Sequence, residues 1–171
     1  MSETHILPDM LKPGLRLVFV GTAASTRSAA EGAYYAYPQN RFWRTLHEVG
    51  ITPRRFAPQE FRELTKLGIG FTDVSKTGSG MDHEIEAEDF DAEGLRARLA
   101  QAKPQAIAFT SKRAASFYFG KPTGKIAYGR QPDRAGEPVA FVLTSPSGAA
   151  TRYWSLGPWQ ELAAWFNGSL R

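Results

Sequence analysis

Leu15-Arg16-Leu17-Val18-Phe19-Val20, followed at once by Gly21-Thr22-Ala23-Ala24-Ser25, decides the architecture of this chain. Six residues are too few for a stable helix. Their aliphatic and aromatic side chains suit a strand buried on both faces, and the run of small residues after it suits a tight exit. Three more runs have the same character: Gly68 to Val74, Ala106 to Thr110 and Val139 to Thr144. Helical patterns lie between them. Asn40 can cap a helix through Phe42, Trp43, Leu46 and Val49, stopped by Gly50. Pro58 to Lys66 and Leu95 to Gln101 are shorter candidates, and Ser111 can cap another through Ala114, Ala115 and Tyr118. Trp159, Leu162, Ala163 and Phe166 recur at helical spacing between Pro158 and Gly168. Strand alternating with helix predicts an α/β three-layer sandwich, with a short, mostly parallel four-stranded central sheet and helices on both faces.

The chain has 171 residues, 42% hydrophobic and 22% charged, as expected for one globular domain spanning 1–171. It has no cysteine, which excludes disulfides, thiolate metal sites and a thiol nucleophile. Three scattered histidines, His5, His47 and His83, make a histidine-rich metal site a poor expectation. No apolar run reaches the roughly 20 residues of a membrane span, and the N-terminus lacks the pattern of a secretory signal. A cytoplasmic protein with no membrane association, monomeric by default, is the expectation.

Charge is unevenly spread. Seven acidic residues and no lysine or arginine lie between Asp82 and Glu93, so the rest of the chain carries 21 basic against 10 acidic residues. Such a balance favours a polyanionic partner, although a basic surface alone would also fit.

Ligands of open parallel sheets bind beyond the carboxyl ends of the strands. The four loops there are Gly21 to Ser25, Thr72 to Lys76, Thr110 to Lys112 and Thr144 to Ala149. The first allows a ligand to approach backbone N–H groups closely, yet it has neither a dinucleotide fingerprint nor a phosphate-loop Gly-Lys-Ser/Thr. After it come Tyr34, Tyr35 and Tyr37, without a period that would bury all three together. Their rings could stack on a flat base or pack beneath the loop.

The strand with Gly21-Thr-Ala-Ala-Ser25, then Tyr35-Ala-Tyr-Pro-Gln-Asn-Arg-Phe-Trp43, resembles the first half of the uracil-DNA glycosylase superfamily. The nearest branch is that of the mismatch-specific uracil and thymine-DNA glycosylases, with features of the hypoxanthine-DNA glycosylases. Gly68-Ile-Gly-Phe-Thr-Asp-Val74, Tyr128-Gly-Arg-Gln131 and Thr144-Ser-Pro-Ser-Gly-Ala149 match in order, and Ser111-Lys112 sits where those families place Gly-Lys. The resemblance implies cofactor-free and metal-free hydrolysis of the N-glycosidic bond of a deaminated base in DNA, with the base flipped into a pocket. Uracil is the first expectation, and hypoxanthine or xanthine could also fit. Tyr35 then corresponds to the aromatic that stacks on the base, and Thr22 and Ala23 to the loop at the base edge. Ser145, Ser147, Gly148 and Ala149 correspond to the loop pressed on the DNA. With them, Ser111, Lys112 and Arg152 form the expected DNA-binding set. Lys112 to Arg134 holds six basic residues against Asp133 alone, enough to line a strand-tracking groove.

Two departures shape the reading. The Asn that positions water in the related branches is replaced by Ala23, and a His used elsewhere is replaced by Ser145. Asp73 is the best substitute: a carboxylate stabilises an oxocarbenium-like sugar, activates water or attacks the sugar carbon. A helix cap or a loop aspartate is the ordinary alternative, and Asp82 with His83 is a weaker candidate pair. The alternative to an enzyme is a damaged-base-binding protein of the same fold that is catalytically weak or inactive. Small Ala149 and Ala150 in the wedge position favour single-stranded or mismatched DNA, unless Arg152 or Tyr153 supplies the wedge.

Overall fold

A computed structural model describes residues 9–22, 26–75 and 91–168. Its centre is a five-stranded sheet in the order β2-β1-β3-β5-β4. The strands are β1 (Leu17–Gly21), β2 (Ile69–Asp73), β3 (Ala106–Phe109), β4 (Gly129–Arg130) and β5 (Val139–Val142). The first three and β5 pair in parallel, and only β4 is antiparallel, against β5. The expected count of four strands is therefore corrected to five. The added strand, β4, has two residues and no apolar run, so nothing in hydrophobic patterning could announce it.

Among the described residues there are five α-helices: α1 (Thr26–Glu31), α2 (Phe42–Glu48), α3 (Ala92–Ala102), α4 (Lys112–Phe119) and α5 (Gly157–Gly168). The segment Pro58–Leu67 is a 3-10 helix. The sheet is a partition between two apolar layers. Leu17, Phe19, Ile69, Phe71, Ala106, Ala108 and Phe141 face α2, the 3-10 helix and α5. Val18, Val20, Ile107, Phe109 and Val142 face α3 and α4. Alternation along each strand sends successive side chains to opposite layers, so both must be apolar. Helices on both faces follow, as expected from the sequence.

Local signals behave as their chemistry requires. Asn40 Oδ1 accepts from the Phe42 N–H at 2.9 Å, and Ser111 Oγ caps α4 by accepting from the Ala114 N–H at 3.1 Å. Gly50, with φ +86°, takes the left-handed turn after α2 that a side chain would resist.

The order of connections places the site. From β1 the chain crosses the α2 side to reach β2, whereas β3 continues into α4 on the other side. Adjacent β1 and β3 thus send their connections to opposite faces, and a crevice opens between their carboxyl ends.

Candidate active site

Parallel register sets three residues in one row across the sheet. Gly21 pairs with Asp73, and the Thr110 N–H donates to the Val20 carbonyl at 2.9 Å, which extends β3 alongside β1. Gly21, Asp73 and Thr110 continue the same alternation as Phe19, Phe71 and Ala108, so they share the face toward α2. A Cβ placed on Gly21 would lie 2.6 Å from Asp73 Oδ1, 3.2 Å from the Tyr35 hydroxyl oxygen and 3.6 Å from Thr110 Oγ1. The absence of a side chain at Gly21 is what lets these three oxygens converge.

Asp73 is only 3% exposed. An aspartate so deep is costly unless it is paired or hydrogen-bonded, which separates it from an ordinary loop residue. The strand ladder continues past it: Val74 N–H donates to the Gly21 carbonyl at 2.8 Å and Ser75 N–H to the Thr22 carbonyl at 2.7 Å. Half-buried Thr22 is thereby fixed at the mouth of the first loop. Ala23 lies outside the described residues, as do Asp82 and His83.

Tyr35 occupies a left-handed backbone conformation, φ +53°. Such a conformation costs about 1–3 kcal/mol in a bulky residue and persists where the surroundings over-determine it. Here one ring face stacks on Phe42, with centroids 4.1 Å apart and planes 19° from parallel. The hydroxyl meets Thr110 Oγ1 at 3.1 Å. Burial and then the Asp73 charge push the phenol well above its ordinary pKa, only partly opposed by the Thr110 hydrogen bond. Tyr35 is therefore a neutral aromatic at any physiological pH.

The three tyrosines divide. Tyr34 is in the core, 2% exposed, stacked on Phe71 at 5.0 Å, and its carbonyl accepts from Trp43 Nε1 at 3.1 Å. Tyr35 is half-buried at the crevice, and Tyr37 is 42% exposed. Of the two readings open from the sequence, packing beneath the loop is realised by Tyr34. Gly21 and Thr110 open two of the four loops expected to build a site, but the sequence reading gives neither a role of its own. Their signal is positional, a hydroxyl and a glycine ending neighbouring parallel strands.

The last loop docks beside this aromatic block. The Arg41 N–H donates to the Pro146 carbonyl at 2.8 Å. Gly148 packs so closely on Gln39 that a Cβ there would meet the Gln39 Cβ at 2.7 Å. Arg41 reaches Thr151 Oγ1 at 3.3 Å and lies over Trp154. Ser145 Oγ accepts from the Ser147 N–H at 3.3 Å. Ser147 Oγ caps the 3-10 turn Gly148–Tyr153 by accepting from the Ala149 N–H. These hydroxyls shape the turn, and Gly148, Ala149 and Arg152 are exposed along it. Tyr153, 63% exposed, follows, with the Arg152 guanidinium over its ring.

On the other flank, Ser111 caps α4, and Lys112 Nζ lies 4.3 Å from the ring centre of Tyr128, itself 41% exposed. The basic stretch is less free than its composition implies. Arg130 pairs with Asp133 at 3.4 Å and Arg134 with Glu137 at 2.8 Å, leaving Lys121 and Lys125 exposed without an ion pair among the described residues.

The family model described as the uracil DNA glycosylase superfamily matches residues 8–167. The chain belongs to the uracil DNA glycosylase superfamily. Among solved structures, the chain is similar to a Methanosarcina acetivorans protein whose description provisionally names it a uracil DNA glycosylase. The two share 26% identity and a TM-score of 0.65, with 94% of this chain and 96% of the other covered. Superfamily membership and the shared fold bear out the resemblance read from the Tyr35 to Trp43 block. No described helix is long and apolar enough to cross a membrane.

Proposed function

We propose that this uracil DNA glycosylase superfamily member is a monofunctional DNA glycosylase. It hydrolyses the N-glycosidic bond of uracil in DNA and leaves an abasic site, acting as a single-domain monomer. The observation that carries this reading is the row Asp73–Gly21–Thr110 beneath Tyr35, at the point where the sheet's connections part. A flipped base entering there meets the ring of Tyr35, whose other face is already backed by Phe42. Stacking against a pre-stacked ring needs no rearrangement of the protein.

Cleavage builds positive charge on the sugar. A carboxylate held in a dry pocket opposes that charge far more strongly than one in water. Asp73 would therefore act as charge stabiliser, as activator of water or as nucleophile at the sugar carbon, and each role requires it ionised. Thr22 and Ala23 would meet the base edge. Ser111, Lys112, Ser145, Ser147, Gly148, Ala149 and Arg152 would contact the DNA strand. The small Ala149 favours single-stranded or mismatched substrate, and hypoxanthine and xanthine are the next bases to try.

The damaged-base-binding alternative makes a different use of the pocket, because a protein that only binds has no need of a buried carboxylate beside the base. The test is incubation with uracil-containing oligonucleotide, alkali treatment and gel analysis. Strand scission that Asp73→Asn abolishes supports the enzyme, and tight binding without scission establishes the alternative.

A further inference from the structure

β2 is the edge strand of the sheet, and the segment at Asp9–Met10 seals its outer side. Met10 N–H donates to the Phe71 carbonyl at 2.9 Å, and Phe71 N–H to the Met10 carbonyl at 3.1 Å. The same edge is gripped from α3. Leu95 and Leu99 anchor that helix on the sheet, which aims Arg98 at the end of β2. Arg98 Nη2 donates to the Asp73 carbonyl at 2.8 Å and reaches Thr72 Oγ1 at 3.4 Å. Thr72 Oγ1 donates to Asp9 Oδ1 at 2.7 Å. Arg98 Nε sits 3.1 Å from Asp9 Oδ2, an ion pair by distance, although its N–H is not aimed to form a hydrogen bond. Both side chains are largely buried, 21% and 15% exposed.

We propose that Asp9 and Arg98 are positioning residues that together fix the main chain of Asp73 and balance the charge beside its carboxylate. The inference rests on the reading of Asp73 as the reacting carboxylate. Its backbone is held from both sides, by the β1 ladder at Gly21 and by Arg98 at its own carbonyl. Neither partner alone would serve. A lone arginine would be an unpaired buried cation, and a lone Asp9 a second anion at the end of the strand that carries the first. Together they are nearly neutral, so neither sign of charge dominates at the end of β2.

The groups named around Asp73 come from four parts of the chain, with Arg98 at its main-chain carbonyl. Arg98 comes from α3, Asp9 from the N-terminal segment, Thr110 from β3, and the phenols Tyr34 and Tyr35 from the loop after α1. Both phenols stay neutral at working pH, raised by burial and by Asp73 itself. Removing one member of the pair therefore exposes the carboxylate to the charge of the other, with opposite sign in the two cases.

The experiment is a carboxyl-carbon NMR titration of Asp73 in the full chain, run beside uracil excision, for wild type, Asp9→Asn and Arg98→Gln. Asp9→Asn is expected to lower the Asp73 midpoint and Arg98→Gln to raise it, each by about half a pH unit or more. In both, kcat should fall at least about 10-fold with KM within about threefold, the split expected when only the transition state loses its partner. Arg98→Lys guards against a misfolded variant. It keeps the charge and so the midpoint, but cannot span both contacts and should lose kcat. Midpoints that stay put, or move the same way in both variants, overturn the pairing, as does unchanged kcat. A wild-type chain without any excision would instead sink the catalytic reading of Asp73, while the titration still decides whether this pair governs its charge.

Discussion

The Tyr35 hydroxyl stands 3.1 Å from Thr110 Oγ1, so the loop that follows α1 is tied to the end of β3 across the crevice where the connections of β1 and β3 part. The tie fixes the ring in a strained backbone conformation and closes one wall of the space above Gly21. Aromatic face, carboxylate and hydroxyl are thereby assembled before any ligand arrives.

Gly21→Ala tests that assembly. Its Cβ would collide with Asp73 Oδ1 and crowd the Tyr35 hydroxyl, at a stability cost of about 1–3 kcal/mol for overpacking. Excision should drop at least about 10-fold in protein that still unfolds cooperatively. Full activity in a folded alanine variant would show that the convergence of oxygens is incidental.

Asp73→Asn keeps the shape and removes the charge. Turnover on uracil-containing DNA should fall by at least about 100-fold, the scale of losing one charge-stabilising group at a transition state, with DNA affinity retained. Turnover near wild type would take Asp73 out of the mechanism. Partial rescue by Ala23→Asn would show that the first loop can hold the water instead.

Tyr35→Ala should weaken binding to uracil-containing DNA by about 1–3 kcal/mol, the usual worth of a base–aromatic stack, with less effect on undamaged DNA. Tyr35→Phe should cost little. Thr110 Oγ1 also contacts the Val20 carbonyl at 3.4 Å, and a lost neutral hydrogen bond is worth about 1 kcal/mol. Equal losses on damaged and undamaged DNA would make Tyr35 a packing residue.

Excision rates should rank single-stranded uracil at least equal to U·G, and U·G above U·A, when compared at one salt concentration. Ala149 is too small to fill the space of a flipped base, so paired DNA meets the unstacking cost of a few kcal/mol uncompensated. Rapid excision from U·A that Arg152→Ala or Tyr153→Ala slows would place the wedge at the exposed end of the 3-10 turn.

Alkali should destabilise the fold. Tyr34 and Tyr35 have phenols raised above their unfolded value, first by burial and then by Asp73. Their neutral forms therefore contribute stability that is complete below about pH 10 and is lost as pH rises toward the folded values. Urea midpoints measured from pH 8 to 11 should stay level and then decline. Tyr35→Phe should blunt the decline, and an unaltered slope in that variant would assign the effect elsewhere.

Much of the fold was legible because buried parallel strands announce themselves as short apolar runs. Val18 to Val20 and Ile107 to Phe109 could be nothing else between glycine, proline and polar turns. β4 was not legible, because Gly129 and Arg130 pair through backbone alone. Asp73 stood out by its place at a strand end, whereas Thr110, which opens one of the expected ligand loops, meets Tyr35 and Gly21 only through register, which a sequence does not display. The basic stretch misled by composition: Asp133 and Glu137 each hold an arginine in an ion pair that spacing alone does not force.

The seam between Gln39–Arg41 and Pro146–Thr151 makes two loops into one mechanical part. Gly148 rests on Gln39, Arg41 is bonded to Pro146, and Phe42, the next residue, backs the Tyr35 ring. On the proposed function, pressure from a strand lying on the exposed turn would be delivered within a few bonds to the aromatic stack. Grip on the backbone and fit to the base would then be geared together: a strand seated poorly on one loop would also leave the other out of adjustment.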